Sequence, residues 1–244
     1  MQYLKAPISE VVFGLNFDFQ KITPKQILEI DTLFAAEFSD EEVLPVTLIP
    51  NLKAPDQPFF SDPTSYGYLM LRKKTVKKDW MIQIQSNRFY LNWLKDDLST
   101  ITNYKGFDQC FKKFSSIITL INEKLNINLK ENIKYLELSY MDRFLITELS
   151  TDLDKVISFS LPSVLPKNAD FLNQYKYDEK AINGVCFINF MTEHSVDKKY
   201  INLNVNLVGE MKKLGFEQWF EAAHKKQIEL FQEIFTDEAK KVWE

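Results

Sequence analysis

The apolar residues of this chain write one order of elements twice: strand, helix, three-strand meander, long helix. In the first pass, Val11, Phe13, Leu15, Phe17 and Phe19 recur at period two, with Gly14, Asn16 and Asp18 between them. That alternation predicts a long strand with one buried face. Thr23-Pro24-Lys25-Gln26 then opens a helix. Thr23 caps it, Pro24 suits its first turn, and Gln26 reaches back to close a capping box. Ile27, Ile30, Leu33, Phe34 and Phe38 mark its buried stripe, followed by a short extended run from Val43 to Ile49. Alternation through Tyr66 to Met70, Trp80 to Ile84 and Phe89 to Trp93 predicts a meander, with a tight turn at Ser86-Asn87. Phe107, Cys110, Phe111, Phe114, Ile117, Ile118, Ile121 and Leu125 follow at helical spacing.

The second pass starts with a strand from Ile133 to Ile146 and a short helix opened by Thr151-Asp152. Strands at Phe171 to Tyr177, Val185 to Met191 and Ile201 to Leu207 precede a helix from Phe216 to Phe235 and a last turn ending at Trp243. The boundary falls between 128 and 129. Residues 1–128 form a first βαβββα half and 129–244 a second, together one pseudo-symmetric unit. The stretch 50–63 holds four prolines and has no counterpart in the second half, so it reads as an insertion. The expected fold is α+β: a duplicated strand-helix-three-strand-helix module whose antiparallel sheets are backed by two long helices.

Composition excludes more than it assigns. The 244 residues are 45% hydrophobic, with 20 Phe and 10 Tyr, enough for a large aromatic core. Lys and Arg total 30 against 34 Asp and Glu, a net charge of -4, so nucleic acid is not the default partner. No apolar run reaches the length that spans a bilayer, and the first ten residues lack the pattern of a signal peptide. A cytoplasmic location is expected. Cys110 and Cys186 fall on apolar faces and read as buried free thiols of a reducing compartment.

Familiar chemistries are poorly represented. His194 and His224 are the only histidines, and they lie on different elements; no metal-ligand spacing, Gly-rich phosphate loop or nucleophile elbow occurs. No metal or cofactor is expected. The acidic runs Asp40-Glu41-Glu42 and Asp96-Asp97 read as solvated turns, and His224 as an exposed helix residue beside Lys225 and Lys226.

Two features stand apart. Arg72, Lys73, Lys74, Lys77 and Lys78 cluster at a tip between two meander strands, with Arg88 nearby. They form either a solvated hairpin end or a surface steering an anionic partner. Asp142 and Arg143 interrupt Leu136, Leu138, Tyr140, Phe144 and Ile146, and period two places Asp142 on the apolar face. An inward carboxylate requires a partner, so the pair reads as a structural ion pair, a bulge or a ligand site.

Several segments resemble a sporadically distributed, uncharacterised bacterial protein family. They are Ala6 to Phe17 (an opening "API-x-EVVFG" strand), Arg88 to Trp93 (an internal "RF-x-x-NW" strand), Ser139 to Phe144, and Phe235 to Trp243 (a closing "F-T-D-E…W" turn). Ser139 and Asp142 depart from the Arg and Asn usual in that family. The resemblance implies no established activity or cofactor; its scattered occurrence implies mobile or defence-associated loci. The expectation is a non-catalytic protein-binding or regulatory component of antitoxin, immunity or chaperone-like type. Its partner would be a neighbouring gene's product or a second copy in a homodimer. A nucleic-acid or nucleotide sensor using the tip 72–78 is the alternative, and an enzyme with a site between the halves is a third reading.

Overall fold

Two long strands distant in sequence pair with one another and decide the architecture. The computed structural model describes residues 7–17, 21–44, 70–95, 104–145, 156–158, 172–195, 198–211 and 214–243. Strand β1 (Ile8–Phe17) runs antiparallel to β6 (Ile133–Leu145), with Val11 opposite Tyr140, Phe13 opposite Leu138 and Leu15 opposite Leu136. Strands β2 (Phe38–Leu44), β3 (Met70–Thr75), β4 (Trp80–Gln85) and β5 (Arg88–Leu94) extend the sheet from β1. Strands β7 (Leu172–Glu179), β8 (Gly184–Ser195) and β9 (Lys198–Gly209) extend it from β6. The order is β2-β3-β4-β5-β1-β6-β9-β8-β7, one nine-stranded sheet in which every adjacent pair is antiparallel.

This arrangement overturns the expected α+β fold of duplicated modules with antiparallel sheets backed by two long helices. One sheet forms, because β1 and β6 satisfy each other's backbone groups and leave no edge at the middle. The cover is also shared. Helix α1 (Pro24–Phe34) packs against α2 (Phe107–Leu125), and α2 meets α3 (Phe216–Ile234) over the sheet centre; α4 (Asp237–Trp243) closes the described chain. Phe13 sits beneath that junction. Its ring lies 5.8, 6.0 and 5.4 Å from those of Phe107, Phe111 and Phe114 on α2, and 5.7 Å from Phe220 on α3.

Local signals account for the helix starts. Thr23 Oγ1 accepts from the Gln26 N–H at 3.3 Å, and the Thr23 N–H donates to Gln26 Oε1 at 2.9 Å, completing the capping box. Asn126 ends α2 in the left-handed conformation, φ 55°. Other expectations shift. Phe38 belongs to β2 rather than to α1, and Asp40 to Glu42 form a strand rather than a turn. Asp40, Glu41 and Glu42 lie opposite Lys74, Lys73 and Arg72 in register, and the Lys73 ammonium, 3.6 Å from Glu41, supports a strand that β-propensity disfavours. The 50–63 insertion, the rings of Tyr66 and Tyr68, Asp96-Asp97 and the helix at Thr151 lie outside the described residues.

The two faces of the sheet differ. Val11, Phe13, Leu15 and Phe17 enter the core beneath the helices, with Leu136, Leu138, Leu203 and Leu207 beside them. The opposite face is polar at its centre. There Tyr90 donates to Glu137 Oε2 at 2.6 Å, and Asn16 and Asn206 donate to the same carboxylate at 3.2 and 2.9 Å. Tyr90 crosses β1 to reach it, over Gly14. A Cβ on Gly14 would stand 2.3 Å from Tyr90 Cε1, inside any real contact. Gly14→Ala must therefore displace the ring and break its bond to Glu137. The expected loss is about 1–3 kcal/mol, read from urea unfolding; unchanged stability would contradict this account of Gly14.

Candidate functional site

The polar face holds a cleft of about 850 Å³. Its floor is a single transverse row set by strand register: Leu94 (β5), Glu10 (β1), Met141 (β6), Asn204 (β9), Asn189 (β8) and Gln174 (β7). Each residue lies opposite the next, so pairing alone brings six side chains from both ends of the chain into line. Lys74, Lys78 and Lys95 line one end; Arg143, Glu193 and Asn202 stand toward the other.

Both carboxylates in the cleft are held by their neighbours. Arg143 donates to Glu193 Oε1 at 2.8 Å, and its guanidinium lies 4.1 Å from the Tyr200 ring centre. Asn202 donates to the other Glu193 oxygen at 2.7 Å. Glu10 accepts from Asn92, which accepts from Gln83 at 3.0 Å, and Gln83 accepts from Arg72 at 3.2 Å. A file of oriented carboxamides thus links a guanidinium on β3 to a carboxylate on β1, each bond polarising the next. Burial raises the Glu10 pKa above its ordinary value, opposed by the Asn92 hydrogen bond and by the charges of Arg72 and Lys74.

The structure divides the basic cluster that the sequence grouped together. Arg72 is tied into the amide file, and Lys74 and Lys78 reach the cleft. Lys73 turns to the other face, where it is buried, hydrogen-bonds Asp31 of α1 and lies 3.6 Å from Glu41. Lys77 is exposed in the turn. Arg88 is buried, with its guanidinium 5.7 Å from the Tyr90 ring centre. Asp142 and Arg143 occupy opposite faces, so Arg143 pairs with Glu193 and not with its neighbour in sequence.

Asp142 belongs to a second cluster, under the helices. Tyr104 and Tyr140 share a hydrogen bond of 2.9 Å, and the Tyr140 hydroxyl lies 3.1 Å from His224 Nδ1. His224 is not the exposed residue expected. Its ring stacks on Phe107 at 4.1 Å, and burial lowers its pKa to about 4. Burial pushes the Cys110 thiol up to about 12 and holds both tyrosines well above their usual range. These groups keep their ordinary neutral forms, which suits packing better than nucleophilic or acid-base chemistry. Asp142 is 4% exposed, burial raises its pKa to about 7, and its Oδ1 has no hydrogen-bond partner among the described residues.

Sequence reading missed the cleft's central residues, Glu10, Glu193 and the transverse row. The visible signal was Asn202, Asn204 and Asn206 at alternate positions, which marks a polar face opposite Leu203, Val205 and Leu207. Register across six strands has no such signal. Among the described residues no group of three or more His, Cys, Asp or Glu is placed to hold a metal, and no helix is long and apolar enough to cross a membrane. No protein-family model matches the chain, and comparison with curated proteins finds no match.

The buried carboxyl gives a pH prediction. Its folded pKa lies above the unfolded value of about 4, so its contribution weakens as pH rises from about 4 through 7 and is then constant. His224 acts oppositely: its depressed pKa removes stability as pH falls from about 6.5 through 4. Comparing wild type with Asp142→Asn, which keeps a neutral side chain at every pH, isolates the first effect. The variant should gain on wild type between pH 5 and 8, by up to a few kcal/mol in chemical unfolding. A difference independent of pH would show that Asp142 is not held protonated by burial.

Proposed function

We propose that the protein is a non-catalytic binding module, a protein-interaction or regulatory component whose partner docks in the cleft on the polar face. The observation that carries this reading is the register-matched row from Leu94 to Gln174. It crosses six strands, five steps of about 4.8 Å each, and so offers a floor of about 24 Å. Carboxamides along it present both a donor and an acceptor, as a peptide backbone does. The carboxylates in the cleft are already occupied: Arg143 and Asn202 hold Glu193, and Asn92 holds Glu10. Groups spread along a floor and held in pairs suit recognition, whereas catalysis needs them to converge on one reacting atom. The resemblance of Ala6 to Phe17 and Arg88 to Trp93 to an uncharacterised bacterial family, whose scattered occurrence implies mobile or defence-associated loci, is the ground for a regulatory or immunity-type role with the partner encoded nearby.

The test is native-level expression of the tagged protein with its genomic neighbours, followed by mass analysis of retained protein and small molecules. Wild type should retain one protein partner in near-stoichiometric amount. The double variant Lys74→Glu, Lys78→Glu alters only the cleft's charged end and should lose about tenfold in retention while unfolding at the same temperature. Retention of nucleic acid alone, released by salt, would contradict the proposal. Turnover of a retained small molecule would contradict its non-catalytic part.

A further inference from the structure

We infer that the cleft selects an extended peptide segment that is acidic at one end and carries apolar side chains, laid across the strands with its carboxylates toward Lys74 and Lys78. This deepens the binding reading above and rests on it. The first support is charge. The chain carries a net charge of -4, yet among the described residues Lys74, Lys78, Lys95 and Arg143 line this cleft against Glu10 and Glu193. Both carboxylates are engaged. Glu193 is held by Arg143 and Asn202, and Glu10 accepts from Asn92. A positive island on an acidic protein attracts an acidic segment and repels a basic one.

The second support is the kind of surface between the charges. Leu94, Met141 and Met191 supply its apolar contact, and Met191 is 44% exposed. Methionine side chains adapt to varied apolar partners, so the contact admits leucine-like residues without demanding one shape. Among the described lining residues none is aromatic, which removes the stacking platform that single-stranded nucleic acid uses.

The third support is polarity along the row. The lysines stand at the β3–β5 end, while Asn204, Asn189 and Gln174 occupy the β9–β7 end. A floor of about 24 Å takes about seven extended residues. Carboxylates seat at the lysine end, and the peptide groups of the other half meet carboxamides. The segment therefore has a fixed direction.

The experiment is selection of a randomised library of peptides about seven residues long on the immobilised full chain, in parallel with the Lys74→Glu, Lys78→Glu variant. Wild type should enrich peptides with Asp or Glu confined to one half and Leu, Ile or Met beside them. The chosen peptides should bind about tenfold more weakly when their acids become amides, and equally weakly to the variant. Enrichment indifferent to acidic residues, or no enrichment, overturns this inference; the binding-module reading survives if the native partner is still retained. Tighter binding of a thymidine oligonucleotide than of any selected peptide overturns both.

Discussion

The antiparallel pairing of β1 with β6 is the constraint on which the molecule depends. Each strand belongs to a different part of the sequence, and each is flanked on its other side by a run of strands: β5, β4, β3 and β2 beyond β1, and β9, β8 and β7 beyond β6. Without their mutual hydrogen bonds both would be long edges with a bare apolar face. Joined, they place Phe13 at the centre of one sheet, and the rings of α2 and α3 close over it. The same pairing sets Glu10 opposite Met141 and Gly14 opposite Glu137, which fixes the polar face.

That polar face explains several residues that packing alone would not choose. Gly14 is needed where the Tyr90 ring crosses the central pair, and Glu137 gathers donors from β5, β1 and β9. Such a network is stable only when its members are satisfied together, so it enforces register. The cleft row lies along the same strands and inherits its alignment from them. Among the described residues the covered face also holds buried charged side chains: Lys73, bonded to Asp31, and Asp142, a carboxyl whose pKa burial raises to about 7.

Much of this was legible in the sequence, for reasons that differ by element. Thr23-Pro24-Gln26 announced α1 because a capping box is a local device, and the 3-4 spacing of Phe107 to Leu125 announced α2. The inward position of Asp142 followed from period two. What failed was non-local. Nothing in Val11 to Phe17 says which strand it pairs with, so whether the two meanders join in one continuous sheet or face each other stayed open. Asp40-Glu41-Glu42 looked like a turn because the strand it pairs with, which sets Lys73 beside Glu41, lies some thirty residues onward. For the site, the cations of 72–78 were visible but not their alternation, which sends Lys73 to α1 and Lys74 to the cleft. His224 looked exposed because its cover, Phe107, comes from a distant helix.

The central claim, that one sheet is organised around the β1–β6 pair, is tested most directly by native-state hydrogen exchange resolved to single amides. The account predicts that amides of residues 11–15 and 136–140 exchange last and with a common opening free energy, because they can be released only by global unfolding. Separate opening free energies for the two strands, with residues 1–128 and 129–244 exchanging as independent units, would contradict it.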